Sequence, residues 1–211
     1  MIFLANPNNP TGTIISYDEI IELHSKLPSN VLLVLDEAYA EYVKVESYKN
    51  YFDLVNNNNN VVITRTFSKV YGLAGLRVGW AYCPKDVVET LNRLRIPFSV
   101  NSTAQKVAVA ALDDQNHVIN SVKHNTNWLS KMELELEGLG FSVTPSSCNF
   151  LLIEASSNLD FSADEVYEYL CSKGIIVRQM HEYNLPNFLR ITIGTGEANK
   201  LVISSLKELV K

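Results

Sequence analysis

Four short apolar runs constrain the fold of this chain more than any other feature. They occupy residues 1–5 (MIFLA), 31–35 (VLLVL), 61–64 (VVIT) and 78–82 (VGWAY). Continuous rather than alternating hydrophobicity is the pattern of strands covered on both faces, as in parallel sheets whose crossovers are helices. Between the first two runs, Ser16 followed by Glu19 makes a capping-box pattern, and Ile20, Ile21, Leu23 and Leu27 give an approximately helical stripe. The unit reads as βαβ. Pro84 stands at a first helical position after the fourth run. The asparagine run at 56–60 reads as a surface loop ahead of the third strand.

From Asn101 the texture changes to one long helical pattern that Gly138 and Gly140 end. Strands are expected near 141–144 and 149–154, and a helix over 162–173 stopped by Gly174. Further strands follow at 175–177 and 188–193, with a last helix from about 197. The chain therefore reads as α/β throughout, with the boundary near 112–117. Residues 1–113 form a mostly parallel sheet with helices, and 114–211 a smaller α/β domain joined by the long helix.

The formal net charge is −5, without a basic stripe, which argues against nucleic-acid and anionic-membrane partners and for small-molecule chemistry. No run approaches the ~20 apolar residues that span a bilayer. Three dispersed cysteines with no CxxC pair suit reduced thiols in a cytoplasm and imply no metal framework.

Four stretches can carry chemistry, and each lies where a strand ends, which is where open α/β sheets bind ligands. In NPNNPTG (6–12), two Asn-Pro steps and a Thr-Gly fix a turn and can aim the Asn9 amide; a plain surface turn is the competing reading. In VLLVLDEAY (31–39), Asp36 follows the apolar strand as either an N-cap for the next turn or a charge partner for a cationic ring nitrogen, with Tyr39 three residues on as a hydroxyl donor or a packed ring. In TFSKVYGLAGLR, Lys69 is one of eighteen Lys and Arg residues, but Thr66, Ser68 and Arg77 around it are suited to a phosphate. A lysine amine beside such groups can hold a carbonyl cofactor. Arg178 and Arg190, in IIVRQM and FLRITIG, are either strand-edge charges or a pair that recognises anions.

Taken in order, NPNNPTG, DEAY, TFSK, Arg77 and LRITIG resemble the pyridoxal-phosphate-dependent aminotransferases of fold type I, and within them the histidinol-phosphate aminotransferases. The resemblance covers essentially the whole chain. It implies pyridoxal 5'-phosphate as cofactor, held by Lys69, with Asp36 on the pyridinium nitrogen and Asn9 and Tyr39 on the phenolic oxygen. It places Thr66, Ser68 and Arg77 on the phosphate, Arg190 on the carboxylate of an amino donor such as glutamate, and Arg178 on the phosphate of histidinol phosphate. It further implies a cytoplasmic homodimer acting in histidine biosynthesis. Threonine-phosphate decarboxylases and aromatic aminotransferases share much of this set, and a non-catalytic interaction module is the alternative of another class. The family carries a further N-terminal portion ahead of the NPNNPTG strand. By that resemblance, a chain beginning at this strand is expected to lack the loop that completes the phosphate cup, the aromatic residue that stacks on the ring and the partner-subunit tyrosine, and to present an uncovered strand edge.

Overall fold

The computed structural model describes residues 1–44, 48–155 and 159–211. They divide into two compact units, one of Met1–Pro7 with Ile14–Val122 and one of Asn8–Thr13 with Lys123–Lys211.

The first unit is built on a four-stranded sheet, β1 (Ile2–Ala5), β2 (Leu33–Asp36), β3 (Val61–Thr66) and β4 (Gly79–Tyr82), in that spatial order. β1, β2 and β3 are parallel, so Ala5, Asp36 and Thr64 share one register row at their carboxyl ends. β4 runs antiparallel to β3. A parallel return needs a crossover of a dozen or more residues, usually a helix, whereas 67–78 holds only a single 3-10 turn. The continuous apolar runs earn their burial: Leu33, Leu35, Val61 and Ile63 pack with Ile20 of α1 (Tyr17–Ser25) and with Leu54 and Val55 of α2 (Phe52–Asn57). Truncating a fully buried Leu such as Leu35 to Ala costs about 2–5 kcal/mol through lost transfer energy and the cavity left behind.

α1 begins at the expected capping box, with Glu19 N donating to Ser16 Oγ and Ser16 N donating to the Glu19 carboxylate. The asparagine run is not a bare loop. Asn56 and Asn57 close α2, Asn58 Nδ2 donates to Leu54 O, and Asn60 Nδ2 donates to Val31 O across the entry to β2. Short amides compete well for main-chain groups at helix ends, which composition alone does not reveal. α3 (Lys85–Leu94), whose N-cap is Pro84, has no buried residue, and β4 is exposed along its whole length.

The long helical pattern after Asn101 is two helices, α4 (Ser102–Asp113) and α5 (Gln115–Glu137). Asp114 leaves helical geometry at ψ 66°, and its Oδ1 accepts from His117 N, capping α5. α5 begins in the first unit and ends in the second.

The second unit has an antiparallel sheet in the order β5 (Ser142–Thr144), β6 (Phe150–Glu154), β8 (Phe188–Thr192), β7 (Arg178–Gln179). Strand β7 sits later than the expected 175–177. Gly174, at φ +76°, ends α6 (Ala163–Ser172), and Ile175 is buried in the core, so pairing with β8 starts only at Arg178. Leu151 and Ile153 of β6, Val166 and Leu170 of α6, Ile191 of β8 and Leu206 of α7 (Gly196–Leu209) share one core with the end of α5. Among the described residues no helix is long and apolar enough to cross a membrane.

Candidate active site

In the first unit the expected site residues lie on two segments. One leaves the carboxyl end of β2, and the other leaves β3 and returns as β4. Asp36 is the last residue of β2, exposed, with Oδ1 accepting from Ala38 N. That bond is the turn-capping role open to it on sequence grounds, and no cation pairs with it among the described residues. Tyr39 is buried at the entrance of a 3-10 turn over Ala40–Tyr42.

Lys69 follows β3 in a turn anchored by the buried side chains of Phe67 and Val70, while Ser68 and Lys69 remain half-buried. Gly72 N donates to Lys69 O, Leu73 N to Phe67 O, and His117 Nε2 to Val70 O, so the turn is pinned at three points. Gly72 takes φ +71°, a conformation open to glycine at little cost. Ser68 N donates to Thr66 Oγ1 at 3.0 Å. The Lys69 ammonium lies 5.0 Å from the centroid of the Tyr39 ring. It has no carboxylate partner among the described residues, which sets it apart from Lys26, Lys85, Lys173 and Lys207. Arg77 is exposed, donates from Nη1 to Ala74 O at 2.7 Å, and adopts φ 53° and ψ 55°. A left-handed conformation costs a residue with a Cβ roughly 1–2 kcal/mol, and such outliers concentrate at functional sites.

The second unit holds the other three residues. Arg190 Nη1 donates to Asn9 Oδ1 at 2.5 Å, and its guanidinium lies 4.9 Å from the Phe150 ring centroid. Arg190 Nε is buried with no hydrogen-bond partner. Arg178 stands directly opposite Arg190 in the β7–β8 register. Both line a cleft of about 480 Å³ that also includes Thr192, Gly194 and Asn199. Two like charges facing across a ladder are unfavourable unless an anion lies near. Arg178 has one in Glu182, at 3.0 Å, and rests over the Tyr183 ring at 5.7 Å. Arg190 has none among the described residues and keeps an unpaired donor, which favours an external anion there.

Sequence reasoning passed over a buried group of charges on the first unit. Glu37 is fully buried, Arg65 bridges it to Glu41, and Tyr48 donates its hydroxyl to Glu37. The signal was there: Arg65 interrupts a strand and Glu37 adjoins an apolar run, so either had to be paired if buried. Asn6, also buried, closes the turn after β1 through Ile15 N, Ile15 O and the Tyr51 hydroxyl.

The donor set fits a phosphorylated aldehyde of a nitrogen heterocycle. The first unit holds an amine with no carboxylate partner, a carboxylate not paired with a cation among the described residues, and, on the segment that leaves β3 and returns as β4, the Thr66 and Ser68 hydroxyls and the exposed Arg77 guanidinium. Among the described residues no group of three or more His, Cys, Asp or Glu side chains gathers as a metal site would need.

This fold recurs in solved structures. Histidinol-phosphate aminotransferase from Sinorhizobium meliloti in complex with pyridoxal-5'-phosphate matches with a TM-score of 0.90 at 28% identity, over 99% of this chain and 56% of that one. L-threonine-O-3-phosphate decarboxylase from Porphyromonas gingivalis matches with a TM-score of 0.85 at 24% identity, over 99% and 63%, a likeness of fold alone. The two units thus have the fold type I architecture, a mostly parallel sheet with helices and a smaller α/β domain. The chain belongs to the aminotransferase class I and II family, whose model matches residues 1–206. Histidinol-phosphate aminotransferase from Rhodopseudomonas palustris strain BisB5 is 46% identical over 210 residues, 100% of this chain and 58% of that protein. The chain thus spans under two thirds of the length of this relative.

Proposed function

We propose that the chain carries the lysine-bearing and carboxylate-binding part of a pyridoxal-phosphate-dependent aminotransferase acting on histidinol phosphate, with glutamate and 2-oxoglutarate as the amino donor pair. The observation that carries this reading is Lys69: half-buried, on a turn pinned at three points, against the Tyr39 ring and without a carboxylate partner. The 46% identity to a protein of that name supports the choice of substrate.

Bound pyridoxal phosphate supplies an electron sink for the negative charge left at the substrate Cα when its proton departs. Lys69 Nζ would hold the cofactor's aldehyde carbon, and its amine would be the base that moves a proton at the substrate Cα. Asp36 keeps the proton on the ring nitrogen, since a carboxylate beside a pyridine favours the charged form. Tyr39 would donate to the phenolic oxygen, a role the resemblance gives to Asn9 as well. Thr66, Ser68 and Arg77 hold the phosphate, where the arginine fork can bind two oxygens at once. Arg190 takes the α-carboxylate, and Arg178 the substrate phosphate when it turns from Glu182. We assign the large-domain remainder to 1–113 and the small domain to 114–211, and place the complete enzyme as a homodimer in the cytoplasm.

A substrate panel tests the reading. Histidinol phosphate, phenylalanine and threonine phosphate would be offered to the chain together with the remaining portion of the Rhodopseudomonas palustris relative. Preferential amino transfer from histidinol phosphate is expected. Equal turnover of all three, or decarboxylation of threonine phosphate, contradicts the assignment.

A further inference from the structure

The buried charges of the first unit lie on the same chain segments as the proposed cofactor residues. Arg65 Nε and Nη2 both lie 2.9 Å from Glu37 Oε2, and Nη1 lies 3.3 Å from Glu41 Oε1. The Tyr48 hydroxyl donates to Glu37 Oε1 at 2.5 Å, and the guanidinium lies 5.8 Å from the centroid of the Trp80 ring. The Glu37 side chain is 0% exposed and that of Arg65 15%. Burial pushes the Glu41 carboxyl up; burial also pulls Arg65 down, but the fields of Glu37 and Glu41 outweigh it and hold Arg65 above its usual value. Stability is a weak reason for such a cluster, because well-packed apolar residues of the same volume often serve as well or better.

The segments it ties together supply a stronger reason. Glu37 adjoins Asp36, and Glu37 and Glu41 bracket Tyr39. Arg65 immediately precedes Thr66 on the strand that leads to Ser68 and Lys69, and by strand alternation it faces away from Thr64 and Thr66. Trp80 follows closely on Arg77 in the chain and lies opposite Arg65 in the β3–β4 register. Gly79 makes that approach possible, since a Cβ there would stand 2.6 Å from Arg65 O. Every first-unit segment with a proposed cofactor residue therefore has an anchor on one guanidinium.

We propose that Arg65 is a positioning residue: through Glu37, Glu41 and Trp80 it sets where Asp36, Tyr39, Lys69 and Arg77 stand, without touching cofactor or substrate itself. A planar fork with donors in several directions fixes orientation in a way a lysine's single ammonium cannot. The inference rests on the cofactor assignment above, and its test separates the two.

Three variants of the chain serve: Arg65→Lys, Arg65→Met, and the doubly neutral Arg65→Met with Glu37→Gln, which leaves no buried charge unpaired between those two positions. Without cofactor, amide hydrogen exchange should speed up several-fold in peptides covering 36–42, 66–72 and 77–82 together, with 150–154 in the second unit unchanged. With cofactor, affinity for pyridoxal phosphate should fall roughly ten-fold, the size that orienting partners carry at metal sites. The pH midpoint of the bound cofactor's absorbance should shift, and in the double variant these losses should persist while the thermal midpoint recovers relative to Arg65→Met alone. Faster exchange confined to 66–72, or spread evenly over the chain, overturns the proposal, as does parental affinity and pH midpoint in the double variant. If the parent chain gives no Lys69-dependent absorbance, the cofactor assignment fails, and exchange alone decides whether Arg65 couples the three segments.

Discussion

At the scale of single residues, burial decides what a charge is worth. Lys26 and Glu22 pair on the surface, with side chains 70% and 65% exposed, whereas Glu37 is sealed against Arg65. Exposed pairs contribute ~0–1 kcal/mol, while removing one partner of a buried pair costs about 3–5 kcal/mol by stranding the other charge. Urea titrations should therefore show Glu37→Ala destabilised by several kcal/mol and Lys26→Ala within about 1 kcal/mol of the parent. Burial also acts on the phenols. It pushes the Tyr51 hydroxyl up to about 12, with the Asn6 contact opposing and the Glu37 charge adding to the rise. Tyr48 is raised further, by burial and then by Glu37. An unfolded tyrosine ionises near 10, so between about pH 10 and pH 12 the unfolded chain has lost a proton that the folded chain keeps. Stability must then fall as pH rises, by about 1.4 kcal/mol per pH unit for each such phenol. Tyr51→Phe should flatten the dependence of the urea midpoint on pH across that range, and an unchanged slope would contradict the account.

At the scale of elements, sequence reveals helix beginnings better than strand directions. Ser16 and Glu19 mark the start of α1, and Ser162 with Glu165 start α6 in the same reciprocal way, because capping is a local matter of side chains reaching nearby amides. Ser162→Ala should lower stability by about 1 kcal/mol, read from the thermal midpoint. The break at Asp114 was hidden, since the apolar periodicity runs on through it and only the caps differ. The direction of β4 was hidden as well, because an apolar run looks alike in a parallel and an antiparallel strand. The β7–β8 pairing that sets Arg178 opposite Arg190 depends on where Gly174 releases the chain, a matter of a few residues that patterning does not resolve.

At the scale of the molecule, the short runs and crossover helix of the first unit gave its architecture, whereas the grouping of Asn8–Thr13 with the second unit depends on contacts far apart in sequence. Ser147 N donates to Gly12 O, and Arg190 to Asn9. Candidate residues were legible because their chemistry is unusual for their surroundings; the Arg65 cluster was not, since a paired buried charge looks like a surface charge until the fold is known. The first unit also exposes Leu94 at 76%, Ile96 at 77% and Phe98 at 99%. Apolar groups left in water favour association. Light scattering should show concentration-dependent assembly of the purified chain that Leu94→Glu with Ile96→Asp diminishes; identical behaviour of parent and variant would contradict this.

Lys69 is proposed to be the one amine among many that holds the cofactor aldehyde. Mixing the chain with pyridoxal phosphate, reducing with borohydride and mapping the adduct by peptide mass spectrometry reads it directly. One dominant adduct is expected, on the peptide containing Lys69, that disappears in Lys69→Ala. Adducts scattered over surface lysines, and unchanged by that substitution, would contradict it.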